Sequence, residues 1–307
     1  IDTPWQLKTG HPEFEFDLSR FPLPSIEKIV SEQSTVETES GSIIQQLASG
    51  LDAAAPADWN FSNDAPDRGL AFFGRTGEEL DQPGIMLHET LGCGGGTIDF
   101  DLDGWQDLYV MSAGGMPPNA DSQPNELFRN ANGQFLPVAN SANVADRGFG
   151  QGVAVGDVNE DGFADLLLLN YGPNRLFVNQ GDGTFRDHSD RLPGGNDSRW
   201  STSGAIADLD GDGLNDIVVT NYCDGLEPSQ KKCSMANSSN HRSCSPMLFA
   251  ASGDEFIHSI GNGQFDDASE TWIDSDVSKG RGVGVIGGQL DGRGGNDGCI
   301  ANDMTNN

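Results

Sequence analysis

Residues 205–222 read AIADLDGDGLNDIVVTNY. The flanks of this stretch are short runs of small, aliphatic and β-branched residues, which is strand composition. Its centre holds Asp208, Asp210, Asp212 and Asp216 around Gly213, which is turn chemistry. The stretch therefore reads as strand, acidic turn, strand. Two further segments fit the same template, D-x-[DN]-x-D-G-x-x-D: DFDLDGWQD at 99–107 and DVNEDGFAD at 157–165. The copies start at 99, 157 and 208, so the period is 58 and then 51 residues. Periods of that size belong to propeller blades and solenoids.

The surroundings repeat as well. Gly-Gly-Thr-Ile, Gly-Val-Ala-Val-Gly and Gly-Ala-Ile-Ala precede the loops, and LYVMS, LLLLNY and IVVTNY follow them. A second shared unit lies downstream: PNELFRNANGQF at 124–135, PNRLFVNQGDGTF at 173–185 and a weaker EFIHSIGNGQF at 255–265. Each repeat is thus strand, acidic loop, strand, turn, strand, Asn/Gly turn, strand. Four antiparallel strands per repeat make one blade, so the fold class is all-β, a β-propeller.

The loops have the chemistry of calcium sites. Ca²⁺ takes six to eight oxygens in a flexible shell. Side chains at loop positions 1, 3, 5 and 9 and the carbonyl at position 7 supply them. The expected ligands are Asp99, Asp101, Asp103, Trp105 and Asp107; Asp157, Asn159, Asp161, Phe163 and Asp165; and Asp208, Asp210, Asp212, Leu214 and Asp216. Gly104, Gly162 and Gly213 all fall at position 6, where a sharp turn suits a residue without Cβ. Without an ion, the carboxylates of one loop would repel and their pKa values would rise. A solvated acidic turn explains one such loop, but not three in register. An EF-hand fails as an alternative. Position 12 would need Glu and is Val110, Leu168 and Val219, and the flanks are not helical. A fourth copy, QLDGRGGND at 289–297, keeps Asp291, Gly294 and Asp297 but has Gln289 and Arg293 at positions 1 and 5. It is expected to bind no calcium, with a guanidinium in the ion's place.

The segments LGCGGGTIDFDLDGWQDLYV, PNRLFVNQGDGTF, AIADLDGDGLNDIVVTNY and ANDMTNN resemble the FG-GAP/VCBS repeats of integrin α-subunit propellers. They resemble more closely the bacterial ASPIC/UnbV-associated proteins and the animal cartilage acidic proteins. The resemblance covers about residues 59–307. It implies a calcium-binding propeller, usually seven-bladed, on an exported protein, and no agreed activity. It also implies a Cys-containing insertion after the third loop, here within 223–247, in which Cys233 is expected to pair with Cys244. The pairing of Cys93, Cys223 and Cys299 stays open. About three and a half blades are present, so completion of the ring by a missing segment, by another chain or by self-assembly is expected.

Composition limits the rest. The 307 residues include 47 Asp and Glu against 17 Lys and Arg, a net charge of −30, which argues against nucleic acid as a partner, because phosphate binding needs a basic face. No apolar run is long enough to span a membrane. Three of the five cysteines crowd into 223–244 without a CxxC pair, which fits disulfides in an oxidising compartment better than zinc. The chain starts at Ile1 rather than Met, from which a removed signal or pro-segment is expected. Residues 1–58 read as an arm with a short helix over 41–55, carrying Ile43, Ile44, Leu47 and Leu51 on one face. No nucleophile elbow, HExxH, Walker or dinucleotide motif occurs, so no catalytic residue is named. The expected function is a secreted or cell-surface binding, adhesion or scaffold module for a protein or glycan. The alternative is a lectin or polysaccharide-active enzyme on a calcium-bearing propeller.

Overall fold

The computed structural model describes residues 62–76, 86–194, 198–234, 241–273, 280–289 and 295–303. The arm and helix expected within 1–58, and Asp291, Arg293 and Gly294 of the fourth loop, lie outside the described residues.

Three four-stranded antiparallel sheets follow one another along the chain. The first contains β1 (Gly95–Ile98), β2 (Asp107–Val110), β3 (Glu126–Ala131) and β4 (Gln134–Pro137), in that spatial order. The second contains β5 (Gly150–Gly156), β6 (Asp165–Asn170), β7 (Arg175–Asn179) and β8 (Phe185–Asp187). In the third, β9 (Ser201–Ala207) and β10 (Asp216–Asn221) pair with β13 (Glu255–Ser259) and β14 (Phe265–Asp267). Between β10 and β13 the chain detours through a small hairpin, β11 (Cys233–Ser234) and β12 (His241–Arg242). The detour is closed by a disulfide between Cys233 and Cys244, whose Cα atoms are 5.2 Å apart. The other three thiols are unpaired, with Cys223 buried, Cys93 half-buried and Cys299 exposed. A fourth sheet has two strands among the described residues, β15 (Gly282–Gly288) and β16 (Asp297–Asn302).

The acidic loop joins the first two strands of each sheet, and its ninth residue opens the second strand. Ile98 pairs with Asp107, Gly156 with Asp165, Ala207 with Asp216 and Gly288 with Asp297. Asp297 therefore stands at the same place in its sheet as Asp107, Asp165 and Asp216 do in theirs.

The sheets pack face to face, and the central strands explain their uninterrupted apolar sequence. All six residues of β6 are buried. Leu166 and Leu168 enter a cluster with Ile98, Tyr109, Met111 and Leu127 of the first sheet. Leu167 and Leu169 enter a second cluster with Ile217, Val219 and Ile257 of the third. Alternate side chains of one strand thus fill two inter-sheet cores, and each fully buried leucine contributes about 1.5–3 kcal/mol. The first strands approach one another closely, which requires glycine. A Cβ on Gly94 would lie 2.5 Å from Gln151 O, and one on Gly152 would lie 2.5 Å from Thr202 O. The architecture is propeller-like, with blades side by side, and the described residues form no closed ring. Among the described residues, no helix is long and apolar enough to cross a membrane.

Candidate metal centre

The ninth-position carboxylates are the structural keystones of the loops. Asp107, Asp165 and Asp216 are each fully buried. One oxygen of each accepts a backbone N–H from the third strand: Asn130 to Asp107 at 2.7 Å, Asn179 to Asp165 at 2.8 Å and Ser259 to Asp216 at 2.9 Å. The other oxygen accepts from loop position 2: Phe100 at 3.1 Å, Val158 at 2.9 Å and Leu209 at 2.9 Å. One side chain therefore fixes the loop to two strands.

The first position organises the turn. Asp99 accepts from the N–H groups of Asp103 and Gly104, both at 3.1 Å. Asp157 accepts from Asp161 at 3.1 Å and Gly162 at 2.7 Å, and Asp208 from Gly211 at 2.7 Å and Gly213 at 3.0 Å. The fifth-position carboxylates accept from the seventh residue: Trp105 to Asp103 at 2.9 Å, Phe163 to Asp161 at 2.9 Å and Leu214 to Asp212 at 2.8 Å. Gly104, Gly162 and Gly213 have φ of 86°, 92° and 92°, the left-handed region that favours glycine. Position 4 is left-handed too, at Leu102 (φ 54°), Glu160 (φ 58°) and Gly211 (φ 83°), a second bend that Leu and Glu side chains conceal in the sequence.

This backbone wrapping turns the carboxylates inward. One oxygen from each of Asp99, Asp101 and Asp107 lies within 4.8 Å of the others, as do Asp208, Asp210 and Asp216. Oxygens on a common Ca²⁺ lie up to about 5 Å apart, twice the metal–oxygen distance. In the second loop Asn159 takes position 3, and its Nδ2 donates to Asp161 Oδ2 at 2.9 Å. Asp101 Oδ1 is buried without a hydrogen-bond partner, an acceptor in want of a cation or donor. The donors are all oxygen in the first two loops. Burial pushes the Asp165 carboxyl up to about 7, with the charges of Asp161 and Asp157 adding to the effect. Burial likewise raises Asp107, with Asp101 and Asp103 contributing, and Asp216, with Asp210 contributing. Carboxylates held together at such cost fit a hard divalent cation.

Four contributors escape a reading of the loops alone. Arg129 on β3 donates to Asp101 and Asp103 of the first loop. His258 on β13 places Nε2 3.2 Å from Asp210 Oδ2 and 3.9 Å from Asp212 Oδ2. Asn215, at position 8 of the third loop, donates its Nδ2 to Asp157 O of the second at 2.7 Å. Asn296, at position 8 of the fourth, donates N–H and Nδ2 to Asp208 O of the third at 2.8 and 2.9 Å. Only an alignment of whole blades, third strand included, would have pointed to Arg129 and His258.

A cleft of about 1050 Å³ beside β13 is lined by Asp224, Asp254, Glu255, Asp267, Glu270 and Trp272 among others. Its carboxylates are largely occupied with local structure. Asp254 accepts from Asn221 N–H, Asp267 from Ser269 N–H, and Glu255 pairs with Arg199.

Comparison with known proteins locates these features. The model of the FG-GAP-like repeat matches residues 99–168 and 157–219, which contain all three loops. The chain is similar to cartilage acidic protein 1 of Homo sapiens, 37% identical over 132 residues, covering 41% of this chain and 20% of that protein. The Mus musculus protein is 31% identical over 132 residues and the Xenopus tropicalis protein 32% over 133, with the same coverage. The match thus spans about a fifth of the length of these relatives. Among solved structures, an Agrocybe aegerita lectin, described for recognition of non-reducing terminal N-acetylglucosamine, covers 67% of this chain and 46% of its own. That likeness is loose, at 17% identity and a TM-score of 0.37.

Proposed function

We propose that this FG-GAP-repeat chain, a relative of the cartilage acidic proteins, is a calcium-loaded propeller module that acts outside the cell as a rigid binding or adhesion scaffold. The observation that supports the reading is the buried ninth carboxylate, repeated in three loops and joined in the first and third by carboxylates of positions 1 and 3 within 4.8 Å. Asp101 Oδ1, buried and unpartnered, adds to it. Asp99, Asp101, Asp103 and Asp107 would hold one ion, with the corresponding residues of the next two loops holding two more. The ions would supply the positive charge that allows these carboxylates to stay ionised together.

An oxidising compartment is supported by the Cys233–Cys244 disulfide and by relatives named for cartilage. A protein or glycan is the class of partner we propose, since a net charge of −30 disfavours nucleic acid.

The test is calorimetric calcium titration of the full chain, with thermal unfolding in calcium and in chelator. Saturable binding and a lower melting temperature in chelator are expected. A chain that binds no calcium at millimolar concentration, or melts identically in chelator, would overturn the reading.

A further inference from the structure

The first and second loops differ in what the neighbouring strand brings to them. Arg129 lies one residue before Asn130, whose N–H holds Asp107. From there its Nε donates to Asp101 Oδ2 at 2.5 Å and its Nη2 to Asp103 Oδ2 at 2.9 Å. The same place on the second blade, one residue before Asn179, is Val178, which is buried in the core between the second and third sheets. The first loop has four carboxylates, Asp99, Asp101, Asp103 and Asp107, and the second has three, because position 3 is Asn159. Carboxylate number alone would make the first loop the tighter calcium site.

We propose that Arg129 is a resident competitor for the first loop, whose guanidinium holds the third- and fifth-position carboxylates and lowers that loop's calcium affinity below that of the second loop. The proposal rests on the calcium reading above. Arginine stays charged at every working pH, and two charge-assisted hydrogen bonds to two carboxylates are among the stronger polar contacts. An arriving ion must displace the guanidinium or accept a positive charge within contact distance. Like charges at contact shift an equilibrium about fivefold even in water, and a dication doubles that energy and so squares the factor; with screening by salt, removal of the charge should tighten the site at least about tenfold.

The third strand thereby reverses the order that carboxylate number alone would set between the two sites. Arg129 would keep the metal-free first loop in shape by neutralising part of its charge. In the second loop, the Asn159 amide lowers the repulsion instead.

Trp105 provides a probe specific to the first loop. It occupies position 7, where the other loops have Phe163 and Leu214, and it is 45% exposed. Terbium luminescence excited through tryptophan should report this loop. W105F identifies the signal that belongs to it, since Trp272 lies near His258 and the third loop. The full chain is titrated with terbium and back-titrated with calcium as wild type, R129V, R129Q and R129K. R129V and R129Q should tighten the Trp105-dependent phase at least about tenfold, while R129K, which keeps the charge, should stay within about threefold of wild type. R129Q retains a polar side chain and serves if R129V folds poorly. Unchanged or weaker binding in both neutral variants overturns the proposal, as does tightening in R129K equal to theirs. Binding elsewhere with an unaltered first loop defeats this inference alone. Failure of terbium and calcium to bind any loop defeats the calcium reading itself.

Discussion

Replacing Asp165 by Asn should stabilise the metal-free protein and destabilise the calcium-loaded one. Asp165 is fully buried and accepts from Val158 N–H at 2.9 Å and Asn179 N–H at 2.8 Å. Without an ion, burial pushes its carboxyl up to about 7. That lies about 3 pH units above the value in an unfolded chain, which corresponds to about 4 kcal/mol for keeping the group ionised well above pH 7. Asn has the same shape without the charge. Its oxygen keeps one of the two N–H groups, while its NH₂ faces the other donor and forfeits about 1–3 kcal/mol. The difference leaves Asp165→Asn about 1–3 kcal/mol more stable than the parent in chelator, at a pH about one unit above 7. In calcium the balance reverses. The ion offsets the carboxylate's charge, and a site filled at a hundred times its Kd contributes about 2.7 kcal/mol that the variant largely loses. With the strained hydrogen bond added, the loss should reach about 3 kcal/mol or more. Urea unfolding in EGTA and in excess calcium measures both shifts, with an unchanged m-value showing that the unfolded state is comparable. A midpoint shift of the same sign in both solutions would refute the reasoning.

The metal-free parent should show an unusual pH dependence. Because the folded-state pKa of Asp165 is raised, the fold binds more protons than the unfolded chain, so this stabilising contribution is full below about pH 4 and is lost as pH rises through about 7. Urea midpoints in chelator should therefore rise on acidification from pH 8 to about 5, and a steady fall over that window would count against the buried-carboxylate account. Leu102→Gly should stabilise by up to about 1 kcal/mol. It relieves a left-handed residue at φ 54° that Gly211 fills naturally in the third loop, less the entropy glycine adds to the unfolded chain. A lower melting temperature would show that the exposed Leu102 side chain makes a contact that matters. Gly152→Ala should cost about 1–3 kcal/mol, because the new Cβ would meet Thr202 O at 2.5 Å and force the first strands of the second and third blades apart. A midpoint equal to that of the parent would refute that close packing.

Much of the fold was legible because local chemistry and long-range architecture agree. The D-x-[DN]-x-D-G-x-x-D template marks both a turn and the start of a strand, so Asp107, Asp165 and Asp216 fixed where β2, β6 and β10 begin. The decayed fourth loop could be aligned for the same reason, and Asp297 does open β16. The cation-bearing neighbours were not legible. Whether Arg129 reaches Asp101 depends on the pairing of β2 with β3 across a 15-residue connection, Met111 to Asn125, and nothing in the spacing of charges along the chain reports it. The left-handed fourth position was hidden for a different reason. Leu102 and Glu160 are residues that normally avoid that conformation, so the bend is imposed by the hydrogen bonds converging on Asp99 and Asp157 rather than by local preference.

The ninth carboxylate ties each acidic loop to its sheet, so any metal bound there would act on blade register. A carboxylate offers about four lone-pair directions. In each of the three loops two are taken by N–H groups, one from the loop and one from the third strand, and in the first and third loops an oxygen of the ninth carboxylate also lies within 4.8 Å of carboxylate oxygens from positions 1 and 3. Any ion seated there would therefore bear on a group that also ties the loop to the sheet, and its removal would leave a buried charge at that tie. The effect need not stop at one blade. Asn215 grips the Asp157 carbonyl and Asn296 grips the Asp208 carbonyl, each reaching back to the first position of the preceding loop. Asn179 makes the matching step between the first two blades by donating to Phe100 O at 2.8 Å. Three hydrogen bonds thus run along the row of blades, two between consecutive loops and one from the end of β7 to the first loop, so each acidic loop is tied to the neighbouring blade as well as to its own sheet.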